Sequence, residues 1–140
     1  MMKKLFLFTL LVSSFLVISC SNENTTGSTE EKPIGTGIDL KYAGAVYEAL
    51  NVQKKNGTVL SVFRITISNE GGYKLFYVEE VSGASYNGET YPNEVLKFSD
   101  TKYGNVYSDV TFEFSIDGST LTLHDPNSYN EDVVLTKKQQ

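Results

Sequence analysis

The sequence predicts an all-β protein, a small antiparallel meander closed as an up-and-down barrel or curled into a β-sandwich. From Tyr42 onward, β-branched and aromatic residues alternate with polar ones, as on strands with one buried face. Glycine-containing turn dipeptides recur at short spacing. No segment keeps apolar residues at the i, i+3, i+4 and i+7 positions of an amphipathic helix over several turns. We therefore expect strands joined by tight turns.

The N-terminus is predicted to be an export signal helix. Lys3 and Lys4 precede an apolar run from Leu5 to Ile18, which ends at the small residue Ser19. A charged start, a short apolar stretch and a small residue before a cut are the parts of a signal peptide. The run is shorter than the about 20 apolar residues that a membrane helix needs. We predict that residues 1–19 are removed.

The next motif surrounds Cys20, the only cysteine, which follows Val17, Ile18 and Ser19. These residues resemble the lipobox of bacterial lipoproteins, with Val17 where leucine is commonest. The resemblance implies cleavage before Cys20, a diacylglyceryl group on its sulfur and often an acyl chain on its new amino group. Two or three chains anchor stably, since each buried methylene contributes about 0.8 kcal/mol. The alternative is an ordinary buried thiol that ends an apolar helix.

Acidic residues dominate the predicted mature chain. Loss of Lys3 and Lys4 leaves 10 of the 12 basic residues against 17 acidic ones, so the formal charge falls from −5 to −7. This balance opposes nucleic-acid binding, which depends on basic residues that neutralise phosphates. If Cys20 carries lipid, the mature chain has no thiol for a disulfide, a metal site or a nucleophile.

Residues 20–37 are predicted to comprise the lipidated cysteine and a flexible tether. The segment after Cys20 is rich in Ser, Asn, Thr, Glu and Gly, and Ile34 is its only large apolar residue. Such a composition cannot bury enough surface to fold. A flexible chain of this length spans about 20 to 25 Å. Residues 38–140 remain, enough for one small β-domain.

The strongest hairpin signal is Asp117-Gly118, between two strands in the segment from Val110 to Asp125. We interpret this dipeptide as a two-residue turn whose residues both have positive φ. The register that follows puts apolar side chains opposite one another on a single face. The facing pairs are Phe112 with Leu123 and Phe114 with Leu121.

A second hairpin signal is Asn56-Gly57. As a two-residue turn it sets Leu50 opposite Phe63, but it also puts Glu48 on the apolar face opposite Ile65. We favour a bulge that rotates Glu48 outward. The alternative is a buried functional carboxylate.

Further strands are expected at Tyr73–Val81, Glu94–Phe98 and Asp132–Thr136. The turn signals between strands are Glu70-Gly71-Gly72, Asn87-Gly88 and Gly104-Asn105. Successive hairpins of this kind form a meander, and closing a meander removes exposed edge strands.

The stretch from Phe112 to Lys138, which ends Val133-Val134-Leu135-Thr136-Lys137-Lys138, resembles the closing strands of small lipocalin-like domains. The resemblance implies an up-and-down barrel that could carry a small apolar ligand. The family's opening Gly-x-Trp motif is absent because the chain has no Trp. The nearest analogue is Tyr42-Ala43-Gly44.

No constellation of residues predicts an enzyme. Glu79 and Glu80 are neighbours on a strand and so point to opposite faces. His124, the only histidine, is next to Asp125, which could suggest a general base with an orienting carboxylate. It is predicted to lie opposite Thr111 on the polar face, and no nucleophile or oxyanion motif accompanies it. Calcium, phosphate-loop, dinucleotide and metal-cluster motifs are also lacking. We predict no catalytic residue, metal or cofactor.

Tyrosine is the most informative polar residue type, with nine in the chain. The tyrosines that fall in predicted connections are Tyr86, Tyr91, Tyr103, Tyr107 and Tyr129. Tyrosine is enriched at recognition surfaces, and we predict that Tyr86, Tyr91 and Tyr103 bind a protein or glycan. The alternative is that these rings cover the barrel ends in place of Trp.

The leading functional hypothesis is a non-enzymatic binding or structural lipoprotein of the cell envelope, with a monomeric β-domain on a tether. The alternatives are a lipocalin-like carrier of a small apolar ligand and an inhibitor of a hydrolase. Ser21 follows the cysteine where Asp would retain a lipoprotein at the inner membrane of enteric bacteria. That sorting rule favours the outer membrane in a Gram-negative cell.

Overall fold

The computed structural model describes residues 31–140, so the predicted signal peptide, Cys20 and most of the tether lie outside the described residues. Within the described range, no helix has the length and apolar character to cross a membrane. Two short 3₁₀ turns, Leu40–Tyr42 and Pro92–Glu94, accompany the strands. The ten strands of this range are β1 (Gly35–Thr36), β2 (Val46–Gln53), β3 (Val59–Ile67), β4 (Tyr73–Glu79), β5 (Ser85–Thr90), β6 (Val95–Lys97), β7 (Lys102–Asn105), β8 (Thr111–Phe114), β9 (Thr120–His124) and β10 (Val133–Lys137).

All ten strands form one antiparallel sheet that curls into a half-barrel, which confirms the all-β prediction. The strand order is β1-β6-β7-β8-β9-β10-β2-β3-β4-β5. Strand β10 therefore joins β2, while β5 and β6, which are consecutive in the chain, do not pair. The turn Pro92–Glu94 separates them. The two edges of the sheet are β1 and β5.

Strand β1 lies within the segment predicted as tether. The Ile34 N–H donates to the Lys97 carbonyl at 2.7 Å, and the Gly37 N–H donates to the Val95 carbonyl at 2.9 Å. Backbone hydrogen bonds order a segment even where its side chains bury little apolar surface. The sheet thus begins at Gly35, before residue 38, where the β-domain was predicted to start.

The predicted register of the β8–β9 hairpin is confirmed, but its turn differs. The Gly118 N–H donates to the Ser115 carbonyl at 2.9 Å, so Ile116 and Asp117 are the central turn residues. Only Gly118, with φ of 72°, has the positive φ that was predicted for both residues of the dipeptide. The confirmed pairs are Phe112 with Leu123 and Phe114 with Leu121.

The β2–β3 turn has a different length from the one predicted. The Lys54 N–H donates to the Thr58 carbonyl at 2.8 Å, and Gly57 has a φ of 90°. The loop therefore contains three residues, the usual geometry of a turn followed by a left-handed glycine. The register consequently moves by one residue from the prediction.

A shift of one residue moves every side chain of a strand to the other face. Ala49, and not Leu50, lies opposite Phe63, and the Leu50 residue is 61% exposed. The inward position predicted for Leu50 is wrong. Glu48 lies opposite Arg64 on the outer face.

A backbone irregularity turns the Glu48 side chain outward. Val52 and Ala49 both pack against the core although they are three residues apart, so the strand changes face between them. Asn51 there has a φ of 56°, and the pairing of β3 with β4 shifts between Leu60 and Val62. An irregularity therefore does rotate Glu48 outward, but it lies at Asn51 and not at Glu48 or at residues 43–45.

The three later strands are confirmed within two residues of their predicted bounds, and the turn at Gly71-Gly72 is confirmed between β3 and β4. The turns predicted at Asn87-Gly88 and Gly104-Asn105 are wrong, because these dipeptides lie inside β5 and β7. The missing side chain at Gly104 leaves room for a neighbour, since a Cβ there would lie 2.9 Å from Phe98 Cε2. Glycine here serves packing and not a turn.

Aromatic and aliphatic side chains fill the inside of the half-barrel. Tyr42 stacks on Phe114 with ring centroids 3.8 Å apart. The Tyr47 hydroxyl donates to the Gly118 carbonyl at 2.7 Å, and burial is the main cause that raises the pKa of Tyr47 to about 12. The largest fully buried side chains are Tyr47, Tyr103, Phe63, Phe114, Leu60, Ile65, Ile67, Leu121, Leu135 and Val95.

Candidate binding surface

Two of the tyrosines predicted in connections belong to the core. Tyr103 lies in β7 and is fully buried, and its hydroxyl donates to the Asp100 carbonyl at 3.1 Å. Tyr129 is 7% exposed, with its ring 6.0 Å from that of Phe63. Predicting Tyr103 as a loop residue was wrong, and its burial removes it from the candidate binding surface. For these two rings the alternative of a structural role holds.

The other three tyrosines of that group are exposed. Tyr86 lies in β5 and is 48% exposed, and Tyr91, which follows that strand, is 57% exposed. The Tyr91 N–H donates to Glu94 Oε2 at 2.8 Å, which fixes the start of the 3₁₀ turn. Tyr107 is 78% exposed in the β7–β8 connection. Tyr86 and Tyr91 therefore lie along the same edge of the sheet, near the two ends of β5.

Tyr86 belongs to an ordered stack of side chains on the inner face of β4 and β5. Its ring is nearly parallel to that of Tyr77, with centroids 5.1 Å apart and planes at 19°. Lys54 Nζ lies 5.4 Å from the Tyr77 centroid, within the range of a cation–π contact. We call Lys54, Tyr77 and Tyr86 the tyrosine stack. Its last ring, Tyr86, stands on the edge strand of the sheet.

Gly88 explains how the Tyr86 ring lies along its own strand. A Cβ at Gly88 would lie 2.9 Å from the Tyr86 hydroxyl oxygen and 3.0 Å from its Cε1. Only glycine leaves space for the ring at this distance, since real Cβ atoms do not approach other atoms so closely. Asn87-Gly88 is thus part of the strand that holds Tyr86.

The edge of β5 carries open backbone groups. The Glu79 N–H donates to the Ala84 carbonyl at 2.8 Å, which sets the alternation of hydrogen-bonded and non-bonded pairs along β4 and β5. Tyr86 and Gly88 direct their backbone N–H and C=O groups to β4, and the residues that alternate with them along the strand direct theirs away from β4. The outward-facing residues are Ser85, Asn87 and Glu89. Beyond them, β5 pairs with no strand of residues 31–140.

The outer face behind this edge is covered by charged and aromatic side chains. Glu48 Oε2 accepts from Arg64 Nη2 at 2.7 Å, and the Arg64 guanidinium lies 5.6 Å from the Phe76 ring centroid. Phe76 lies opposite Asn87 of β5. The neighbouring row on this face is apolar, because Leu50, which is 61% exposed, lies opposite Val62, and Val62 lies opposite Val78.

His124 lies opposite Thr111, as predicted, but its partner is not Asp125. Its Nδ1 is 2.7 Å from Asp132 Oδ1, and both side chains are 53% exposed. Asp125 instead accepts from the Asn127 N–H at 3.2 Å and so shapes its own turn. Within residues 31–140, no group of three His, Cys, Asp or Glu residues is placed to hold a metal ion.

Comparison with known proteins assigns this chain to no family. No protein-family model, no curated protein and no solved structure matches the chain.

Proposed function

We propose that this chain is a lipid-anchored protein of a bacterial cell envelope, at the outer membrane in a Gram-negative cell, whose β-domain is a non-enzymatic binding module. Export and anchoring are supported by the charged, apolar and small residues that lead to Cys20. Binding is supported by one observation above all: the open edge of β5 with Tyr86 exposed on it.

An open strand edge with an ordered aromatic ring suits recognition of an extended segment. Added strands gain affinity from main-chain hydrogen bonds and specificity from alternate side chains. The Tyr86 ring is already stacked on Tyr77, so less side-chain entropy is lost when it makes a contact. Tyr91, one residue past the strand, supplies a second exposed ring. The binding residues that we retain are therefore Tyr86 and Tyr91.

A capture assay with the full chain tests this proposal. The variant Tyr86→Ser/Tyr91→Ser is compared with Tyr107→Ser, which removes a more exposed ring from the β7–β8 connection. The probes are isolated cell-wall sacculi and a detergent extract of envelope proteins. Aromatic anchors carry much of the energy of an interface, so we expect the double variant to lose at least about tenfold in binding and Tyr107→Ser to keep it.

Circular dichroism serves as the control for folding in both variants. If a folded double variant binds both probes as well as Tyr107→Ser does, the β5 surface is not the binding site. Sacculi and protein extract separate a glycan from a protein ligand.

The finer architecture that we propose is an up-and-down, lipocalin-like barrel opened between β5 and β6. It is supported by the pairing of β10 with β2, the first long strand, since such a barrel joins the two ends of its meander. Binding at the edge is favoured over carriage inside, because Tyr47, Phe63 and Tyr103 occupy the interior. Native mass spectrometry of the full chain would favour a carrier if it recovered a stoichiometric small apolar molecule.

A further inference from the structure

We propose that β5 pairs antiparallel with β5 of a second copy of this chain, so that two half-barrels share one continuous sheet. The inference rests on the proposed function, because it names the partner of the same β5 surface. It replaces the expectation of a monomeric domain.

The two edges of the sheet are not equivalent. Strand β1 has two residues and follows Pro33, and a very short edge next to proline is one way in which proteins prevent strand addition. Strand β5 has six residues, no proline and an exposed outer row. Only β5 offers enough backbone to hold another strand.

The outward backbone groups of β5 allow one antiparallel register with a copy of itself. Centring the two-fold axis on Asn87 places Asn87 opposite its own copy and Ser85 opposite Glu89 of the second copy. These are the residues whose N–H and C=O groups point away from β4, and each facing pair can exchange two hydrogen bonds. The two-fold register uses every open group at these three positions.

Side chains on the inner face fit the same register. Tyr86 of one copy lies opposite Gly88 of the other, and the space over that glycine is filled by the other copy's own Tyr86 ring. The two Tyr86 rings are diagonal neighbours, which aromatic side chains can bridge. The tyrosine stack of one copy would then continue into that of the other.

Charges on the outer face also agree with this pairing. Glu89 lies opposite Ser85 of the second copy and not opposite another carboxylate. In its own chain, Glu89 lies opposite Lys74 of β4. The two Glu89 residues are four positions apart along the strands, about 13 Å at the usual rise per residue. No like charges face one another, which favours a second copy as the occupant of this edge.

Disulfide cross-linking of the full chain tests the register. All variants carry Cys20→Ser, so the introduced thiol is the only one and the result does not depend on lipidation. Asn87→Cys places two cysteines on the axis with Cα atoms about 5.5 Å apart, within the range of a disulfide. Ser85→Cys and Glu89→Cys are each too far from their own copies, but they face one another.

We expect Asn87→Cys alone to form a covalent dimer on mild oxidation, and the Ser85→Cys and Glu89→Cys chains to link only when mixed. Absence of a link at Asn87 in a folded chain would overturn the proposal. Equal linking of Ser85→Cys with itself, or a link to a protein of another mass, would do the same. A link to a protein of another mass would identify a foreign strand as the occupant of the β5 edge.

A second pair of variants separates backbone pairing from side-chain contact. Asn87→Pro removes an N–H that β4 does not use, and proline is tolerated in this position of an edge strand, whereas Asn87→Ala keeps the N–H. We expect Asn87→Pro to weaken self-association at least about tenfold by sedimentation in detergent, and Asn87→Ala to leave it within about threefold. Equal values for the two variants would contradict strand pairing. If the proposed function holds, fatty-acid labelling and capture by at least one of the two envelope probes stay intact in that case, so the two failures are distinguishable.

Discussion

Glu48 Oε2 lies 2.7 Å from Arg64 Nη2 on the outer face of the β2–β3 ladder. Lys138 Nζ approaches the same carboxylate oxygen at 3.2 Å. The hydrogen bond from Arg64 is the largest cause that holds the pKa of Glu48 below its usual value, and the bond from Lys138 adds to it. Glu48 and Arg64 therefore lie on the face of β2 and β3 that points away from the core.

The first prediction concerns the pH dependence of this pair. Because the pKa of Glu48 is lowered in the folded chain, its stabilising effect is present above about pH 4.5 and is lost as the pH falls through the lowered pKa. Glu48→Gln should cost up to about 1 kcal/mol at pH 7, as is usual for a surface ion pair. Urea midpoints between pH 7 and pH 3 measure this. The exposed Glu131→Gln is the control, and a cost at Glu48 that stays constant down to pH 3 would contradict the assignment.

The second prediction tests the register of β2. Leu50 is 61% exposed and Phe63 is 1% exposed. Leu50→Ser should change the free energy of unfolding by less than about 1 kcal/mol, whereas Phe63→Ala should cost about 3 to 5 kcal/mol. Denaturant unfolding of both variants provides the comparison. Similar large losses at the two positions would support the register inferred from a two-residue turn at Asn56-Gly57.

The third prediction concerns the close approach of the β3–β4 turn to the end of β5. A Cβ at Gly72 would overlap the Thr90 carbonyl oxygen and lie 3.2 Å from Tyr91 Cα. These are backbone atoms that cannot rotate away, so Gly72→Ala should cost more than about 2 kcal/mol. Gly35, where a Cβ meets nothing within 4 Å, is the control. Thermal midpoints decide the matter, and a Gly72→Ala chain as stable as Gly35→Ala would refute the contact.

Local sequence predicted one hairpin correctly and another with an error of one residue. Asp117-Gly118 and Asn56-Gly57 both end in a glycine with positive φ, yet the turns close at different residues. The dipeptide indicates where the chain reverses, but the number of loop residues depends on which backbone groups bond across the turn. In β5, the absence of a side chain at Gly88 leaves space for the Tyr86 ring. Turn propensity alone does not predict this kind of packing.

The candidate site was predictable only in part. Tyr86 and Tyr91 were assigned to connections and are exposed, but Tyr86 lies inside β5 because Asn87-Gly88 is not a turn. Tyr103 was misplaced because Gly104 next to it was interpreted as a turn. Strand β5 is an edge because β6, the next strand in the chain, pairs with β1 and β7 instead, and local sequence does not determine that pairing. Tyr77 and Tyr86 face one another in the β4–β5 hairpin, and the turn predicted at Asn87-Gly88 hid this hairpin, so the tyrosine stack was not predicted.

The fourth prediction tests anchoring, on which the proposed role in the envelope depends. Cys20→Ser removes the only cysteine, so no thiol remains to accept a diacylglyceryl group, and the unprocessed precursor should accumulate. Metabolic labelling with a radioactive fatty acid is the most direct measurement. We expect label in the wild-type chain and none in Cys20→Ser. An unlabelled wild-type chain, or label in the Cys20→Ser chain, would contradict the assignment of a lipoprotein.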